Sequence, residues 1–221
     1  MNTISNTGKE RKAYWEKIYQ TKQSTEVSWY EAEPKVSIDI ISQFNLPKSA
    51  HIMDCGAGDS RLVDYHLKLG YENITVLDIS EAAFERTKKR LGEEAKKINW
   101  VVADEAKCKP DEQYDLWHDR AAFHFLTDEH EISNYLITIK NCIKPGGYLI
   151  LATFSEQGPK KCSGLNIKQY SESSMTELLK DSFEKLKCFT VDHQTPFNTI
   201  QNFLYCSFKR KQNTANGQNS Q

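Results

Sequence analysis

The residues best suited to chemistry cluster at two points of the 221-residue chain: Asp54-Cys-Gly-Ala-Gly58 and, 24 positions after Asp54, Asp78. Each closes an apolar run, Ala50-His-Ile-Met before the first and Ile74-Thr-Val-Leu before the second. An apolar run ending in Asp-x-Gly-x-Gly reads as a buried strand, a tight turn and a helix. The glycines Gly56 and Gly58 let backbone pass close to a ligand where a Cβ would collide. A carboxylate ending the next strand is suitably placed to accept hydrogen bonds from ribose hydroxyls. Dinucleotide-binding units carry a third glycine that keeps the pyrophosphate at the helix N-terminus. Here that place is taken by Arg61, and Asp54 and Asp59 make the loop acidic. Such a loop repels a pyrophosphate and tolerates a sulfonium and an ammonium, which points to S-adenosylmethionine rather than NAD.

The elements that must hold these residues follow from periodicity. Between residues 50 and 154 the pattern runs β-α-β-α-β-β-α-β, as in a parallel doubly wound sheet. Its cleanest helix spans 132–143, with Ile132, Tyr135, Leu136, Ile139 and Ile143 on one stripe. Ahead of it, residues 9–21 read as a helix, and Pro34 opens a second one, where its missing N–H costs nothing. After Phe154 comes a Gly-containing loop, then a helix near 173–179 and two strands near 184–192 and 199–210. Residues 1–8 and the Asn/Gln-rich 211–221 are expected to be disordered, leaving one domain over 9–210 with a helical cap at 9–46.

With these features in this order, the chain resembles the class I S-adenosylmethionine-dependent methyltransferases over about residues 10 to 209. The resemblance implies an α/β, Rossmann-like, doubly wound seven-stranded sheet, mostly parallel, with an antiparallel C-terminal strand. It implies S-adenosylmethionine as cofactor and S-adenosylhomocysteine as product. Asp54, Gly56 and Gly58 match the glycine loop, and Asp78 matches the ribose-binding acid. Asp104, ending Trp100-Val-Val-Ala-Asp104, stands where a side chain meets the adenine amino group. Ile79, Glu105, His118 and Trp29 complete the expected cofactor-binding set, Trp29 as part of a lid. Tyr114-Asp-Leu-Trp-His-Asp119 is similar to the fourth strand, and Lys144-Pro-Gly-Gly-Tyr-Leu-Ile-Leu151 to the turn into the fifth.

Methyl transfer is an in-line displacement at a sulfonium carbon, so the protein chiefly aligns the acceptor and excludes water. Ligands of open α/β sheets lie outside the carboxyl ends of the strands. That rule singles out His118-Asp-Arg-Ala-Ala-Phe-His124. Asp119 and Arg120 are the expected positioning groups and His124 a candidate base, although a histidine packed between Phe123 and Phe125 is an equally good reading. Arg120, if not a scaffold ion-pair partner, would suit an anionic acceptor. Gly158–Gly164 is a candidate cover for the acceptor, with Cys162 inside it as a candidate reactive thiol or an incidental one. The opening Tyr14-Trp-Glu-Lys-Ile-Tyr19 and Val27-Ser-Trp-Tyr30 resemble lysine methyltransferases of elongation factor and citrate synthase. Asp119-Arg120 instead resembles the Asp-Arg-Gly-Ala of thiopurine S-methyltransferases, with Ala121 in the glycine's place. The expectation is therefore a small-molecule acceptor, a thiol or an anionic metabolite among the candidates, with a protein lysine and a non-catalytic S-adenosylmethionine-binding module as alternatives.

Composition narrows the partners. A net charge of -1 offers no field to attract a polyanion, so nucleic acid is not expected. Neither a Pro-Pro-Tyr after the fourth strand nor a Pro-Cys nucleophile is present, which disfavours base methylation. No apolar run reaches membrane-spanning length and the N-terminus has no signal-peptide core, so the expected location is cytoplasmic. The six cysteines lack a Cys-x-x-Cys pair; they are expected to be free thiols, without a metal. Oligomeric state is not legible.

Overall fold

A computed structural model describes residues 8–108 and 111–212. The strands β1 (His51–Cys55), β2 (Asn73–Asp78), β3 (Ile98–Val102), β4 (Tyr114–Arg120) and β5 (Ile143–Phe154) run parallel. A short hairpin of β6 (Lys161–Cys162) and β7 (Leu165–Asn166) stands apart from them, and β8 (Phe183–Gln194) and β9 (Ile200–Arg210) complete the main sheet. The sheet order is β3-β2-β1-β4-β5-β9-β8, and β9 is antiparallel to both of its neighbours. The seven-stranded, mostly parallel sheet with one reversed C-terminal strand is thus the expected one. Strand order reverses between β1 and β4, the place where such sheets open a crevice.

Both faces are covered because the central strands are apolar almost throughout; β1, β2 and β4 bury nearly every residue. One face packs Ile52, Ile74, Val76, Leu116 and Ile150 against α2 (Lys35–Gln43), α3 (Leu62–Lys68) and α4 (Glu81–Leu91). The other packs Met53, Trp117, Leu149 and Leu151 against α5 (Glu129–Cys142) and α6 (Glu172–Leu179). Side chains cap these helices where the sequence allows: Ser80 accepts from the Ala83 N–H, and Asp128 from the N–H groups of His130 and Glu131. With Asp128 as its cap, α5 begins at Glu129, three residues before the expected 132. Helix α1 (Gly8–Thr21) lies over the carboxyl ends of the strands, with Trp15 and Tyr19 in the first core.

The expected disordered ends lie largely outside the described residues, but Gly8 already belongs to α1, and the Lys211 N–H donates to the Ser182 carbonyl at 3.0 Å. The free-thiol expectation is corrected at two positions. Cys188 on β8 and Cys206 on β9 face each other in the antiparallel register and form a disulfide. Cys55, Cys108, Cys142 and Cys162 are free. Among the described residues no helix is long and apolar enough to cross a membrane.

Candidate active site

The carboxyl ends of β1, β2 and β4 meet α1 and the segment 27–31 around one cavity. Asp54, Gly56, Asp78, Ile79, Glu105 and His118 line its inner wall. Trp15 and Tyr19 from α1, with Trp29 and Glu31, line the outer wall. Each inner residue is where it is because a buried strand ends there and the chain must turn.

Gly56 has φ +65° and Gly58 φ +55°, a region side chains rarely adopt. A Cβ on Gly56 would collide with the Ala122 side chain, and one on Gly58 with the Tyr19 hydroxyl. The Gly58 N–H donates to Asp78 Oδ2 at 2.8 Å and the Ser80 N–H to Oδ1 at 2.8 Å. Asp78 therefore ties the glycine loop to the start of α4 while still facing the cavity. Burial pushes its pKa up to about 6, against the pull of those two backbone donors.

Asp54 is set by a relay. His118 Nδ1 donates to Asp54 Oδ1 at 2.8 Å, and with that proton placed, His118 Nε2 accepts from the Ser37 hydroxyl at 2.8 Å. All three side chains are buried, and Asp54 Oδ2 has no hydrogen-bond partner among the described residues. A buried carboxyl oxygen without a partner is costly in a site sheltered from water. It calls for a donor, and the ammonium of S-adenosylmethionine fits that need. The glycine loop and the strand-end Asp78 fit the same cofactor, which would run from Asp54 past Asp78 toward Glu105. Burial raises Glu105 to about 8, with Arg11 pulling the other way.

At the opposite end, Arg120 makes two hydrogen bonds and one ion pair. Its Nε donates to the Tyr205 hydroxyl at 2.9 Å, Nη1 to the Trp29 carbonyl at 3.1 Å, and Nη2 pairs with Glu31 Oε1 at 3.1 Å. His193 Nε2 donates to the Ser28 carbonyl at 2.8 Å. Cys162, on the β6–β7 hairpin, also lines this end, and burial pushes its thiol up to about 12.

Comparison with known proteins bears on this geometry. Residues 52–147 match the family model of a methyltransferase domain. The chain is 26% identical over 174 residues to the eEF1A lysine and N-terminal methyltransferase of Mus musculus, a match covering 74% of this chain and 25% of that protein. It is 29% identical over 111 residues to malonyl-[acyl-carrier protein] O-methyltransferase 1 of Ilyobacter polytropus, covering 50% of this chain and 40% of that one. The chain thus spans a quarter and two fifths of the length of these relatives. Among solved structures, Burkholderia thailandensis 1,6-didemethyltoxoflavin-N1-methyltransferase superposes with a TM-score of 0.68 at 17% identity, covering 96% of this chain and 93% of that one. Over residues 52–147 the chain is thus similar to a methyltransferase domain.

Of the expected residues, Asp54, Gly56, Asp78, Ile79, Glu105, His118, Trp29 and Arg120 all line the cavity, and Gly58 supports it through Asp78. Trp15 of α1 lines it too. Three expected residues do not. Asp119 is fully buried; it accepts from the N–H groups of Ala122 and Phe123 at 3.2 and 3.0 Å and from the Tyr135 hydroxyl at 2.8 Å. Its carboxylate is consumed in shaping the turn after β4. His124 is fully buried against Phe125 and Phe154, its Nδ1 accepts from the Phe154 N–H, and burial lowers it to about 3. It is a packed core histidine, not a base. Asp104 receives Arg11 Nη2 at 3.0 Å and the Ala106 N–H at 3.1 Å, so α1 is clamped to the end of β3 while Arg11 and Glu105 form the wall. Arg11, Tyr19, Ser37 and Glu31 are wall residues that the sequence did not disclose. Ala121 adopts φ +63°, the conformation for which a glycine would be the ordinary choice.

Proposed function

We propose that this chain transfers the methyl group of S-adenosylmethionine to a small acceptor held between Trp29, Glu31, Arg120 and Cys162. The observation that carries the reading is the buried, unpartnered Asp54 Oδ2, fixed by His118 and Ser37 on the wall of the cavity at the strand ends. Bound S-adenosylmethionine supplies a methyl group already activated on a sulfonium. The protein's part is to hold the donor, align the acceptor and keep water out. Asp54 takes the donor's ammonium and Asp78 its ribose, while Gly56 lets the loop pack against Ala122 in the turn after β4. Trp15, Tyr19 and Trp29 exclude water from above, and Arg120 anchors the segment bearing Trp29 and Glu31.

A small acceptor is favoured because α1, the 27–31 segment and the β6–β7 hairpin all stand over the cavity. The second reading is a single lysine side chain of a protein, supported by the mouse relative named for eEF1A lysine and N-terminal methylation. The test is transfer of labelled methyl from S-adenosylmethionine into a cell extract separated by size. Label in the small-molecule fraction is the expected result. Protease-sensitive label in the macromolecular fraction would select the lysine reading. No label anywhere, with the cofactor bound, would leave a binding module without catalysis.

A further inference from the structure

We infer that the acceptor end of the cavity is built for an amine, bound as its alkylammonium against the Glu31 carboxylate and the rings of Trp29 and Trp15. This rests on the methyl-transfer reading and names its substrate class. It also departs from the sulfur or anionic acceptor that Arg120 suggests when only its charge is considered.

The first observation is what Arg120 does with its charge. Its Nε donates to Tyr205 and its Nη1 to the Trp29 carbonyl, and Nη2, which makes no hydrogen bond, is ion-paired with Glu31 Oε1 at 3.1 Å, so its charge is already balanced by a carboxylate on the same wall. Arg11, the other arginine of the wall, is engaged by Asp104 and Glu131, which lie outside the lining. Five carboxyl groups line the same cavity, and with Glu105 held protonated near neutrality by its burial, Glu31, Asp54, Asp59 and Asp78 remain to set its charge. An anion entering here meets more like charge than opposite charge, and a cation meets the reverse.

The second observation is the geometry around Glu31. Its ion-pair partner, Arg120 Nη2 at 3.1 Å, approaches Oε1. Oε2 remains to accept from a ligand N–H. The third observation is the aromatic wall beside it. Trp29 and Trp15 have ring centroids 5.5 Å apart, Tyr19 is 6.4 Å from Trp29, and Phe125 is 5.0 Å from Trp15. All four line the cavity. Ring faces attract an ammonium and offer a carboxylate or thiolate nothing. A neutral thiol or alcohol would gain little from Glu31 beyond one ordinary hydrogen bond.

An ammonium has no lone pair to give, so it must shed a proton before transfer. That proton passes to Glu31 and out to water. The acceptor nitrogen's lone pair then forms the N–C bond as the C–S bond breaks, its electron pair staying on sulfur, and the product leaves as the methylammonium.

The experiment is calorimetric titration of butylamine hydrochloride, butyrate and butanethiol, each into the protein saturated with S-adenosylhomocysteine at pH 7. Butylammonium is expected to bind most tightly of the three. Glu31→Gln should weaken it at least ~10-fold, the scale of one charge-assisted hydrogen bond, while leaving S-adenosylhomocysteine affinity as it was. Glu31→Asp, which keeps the charge, should retain more of the binding than Glu31→Gln. Tighter binding of butyrate or butanethiol, no binding of any of the three, or unchanged butylammonium affinity in Glu31→Gln would overturn the inference. A wild-type protein that fails to bind S-adenosylhomocysteine would instead remove the methyl-transfer reading on which it stands.

Discussion

Glu105 is a carboxyl group on the cavity wall that burial holds at about 8, far above the 4.5 it has in an unfolded chain. Between those values the folded protein keeps a proton that the unfolded chain has lost. Stability from this residue is therefore fully present below about pH 4.5 and is lost as pH rises toward 8. Replacement by glutamine removes the titration. The melting-temperature difference between Glu105→Gln and wild type should move in the variant's favour across that window; a difference flat with pH would refute the buried, protonated Glu105. Asp78 carries two roles, and Asp78→Ala should weaken S-adenosylhomocysteine binding at least ~10-fold, the loss of charge-assisted hydrogen bonds, as read by calorimetry. Ordinary affinity in the folded variant would sink the ribose assignment. Residues such as Asp54, Gly56 and Asp78 were legible because each ends an apolar run, and a strand end is a local signal. Arg11 and Glu31 were not, since their partners Asp104, Glu131 and Arg120 lie about 90 or more positions away and no spacing connects them. His124 misled because a histidine after β4 reads the same in sequence whether it faces the cavity or the core.

Elements constrain one another through contacts that a single substitution can expose. Gly58 and Tyr19 share one small space between the glycine loop and α1. Gly58→Ala should lower stability and cofactor affinity, and adding Tyr19→Phe should restore part of both by removing the hydroxyl that the new methyl would strike. No recovery in the double variant would show that the positive φ, costing about 1–2 kcal/mol, accounts for the whole effect. At the far edge of the sheet, Cys188 and Cys206 lock β8 to β9 over a separation of 18 residues. Closing a loop of that length contributes at most about 3 kcal/mol through the unfolded chain. Reductant should therefore lower the melting temperature of the wild type and leave Cys188→Ser unmoved; equal response of both would argue against the bridge. The β-α-β-α-β-β-α-β order and the two closing strands were legible from periodicity alone. The disulfide was not, because it depends on cross-strand register, and neither was the β6–β7 hairpin, whose strands are two residues each.

Seen as a whole, the molecule places its chemistry where the strand order reverses and then covers it with α1, the 27–31 segment and the β6–β7 hairpin. Parallel topology fixes which strand ends converge, so the inner wall follows from the fold. The cover is less determined: its polar ties run from Arg11 to Asp104 and Glu131, from Arg120 and His193 to residues 28–31, and from the Tyr14 hydroxyl to the Ser163 carbonyl. That division explains why the cofactor class was readable from sequence and the acceptor was not. The central claim is that Asp54, aimed by His118, meets the donor at the floor of this cavity. Calorimetric titration of S-adenosylhomocysteine into wild-type protein and Asp54→Ala tests it most directly. One molecule bound per chain, with affinity reduced at least ~10-fold in the folded variant as expected for a lost charge-assisted pair, is the predicted result. No binding to the wild type, or equal affinity in both, would contradict it.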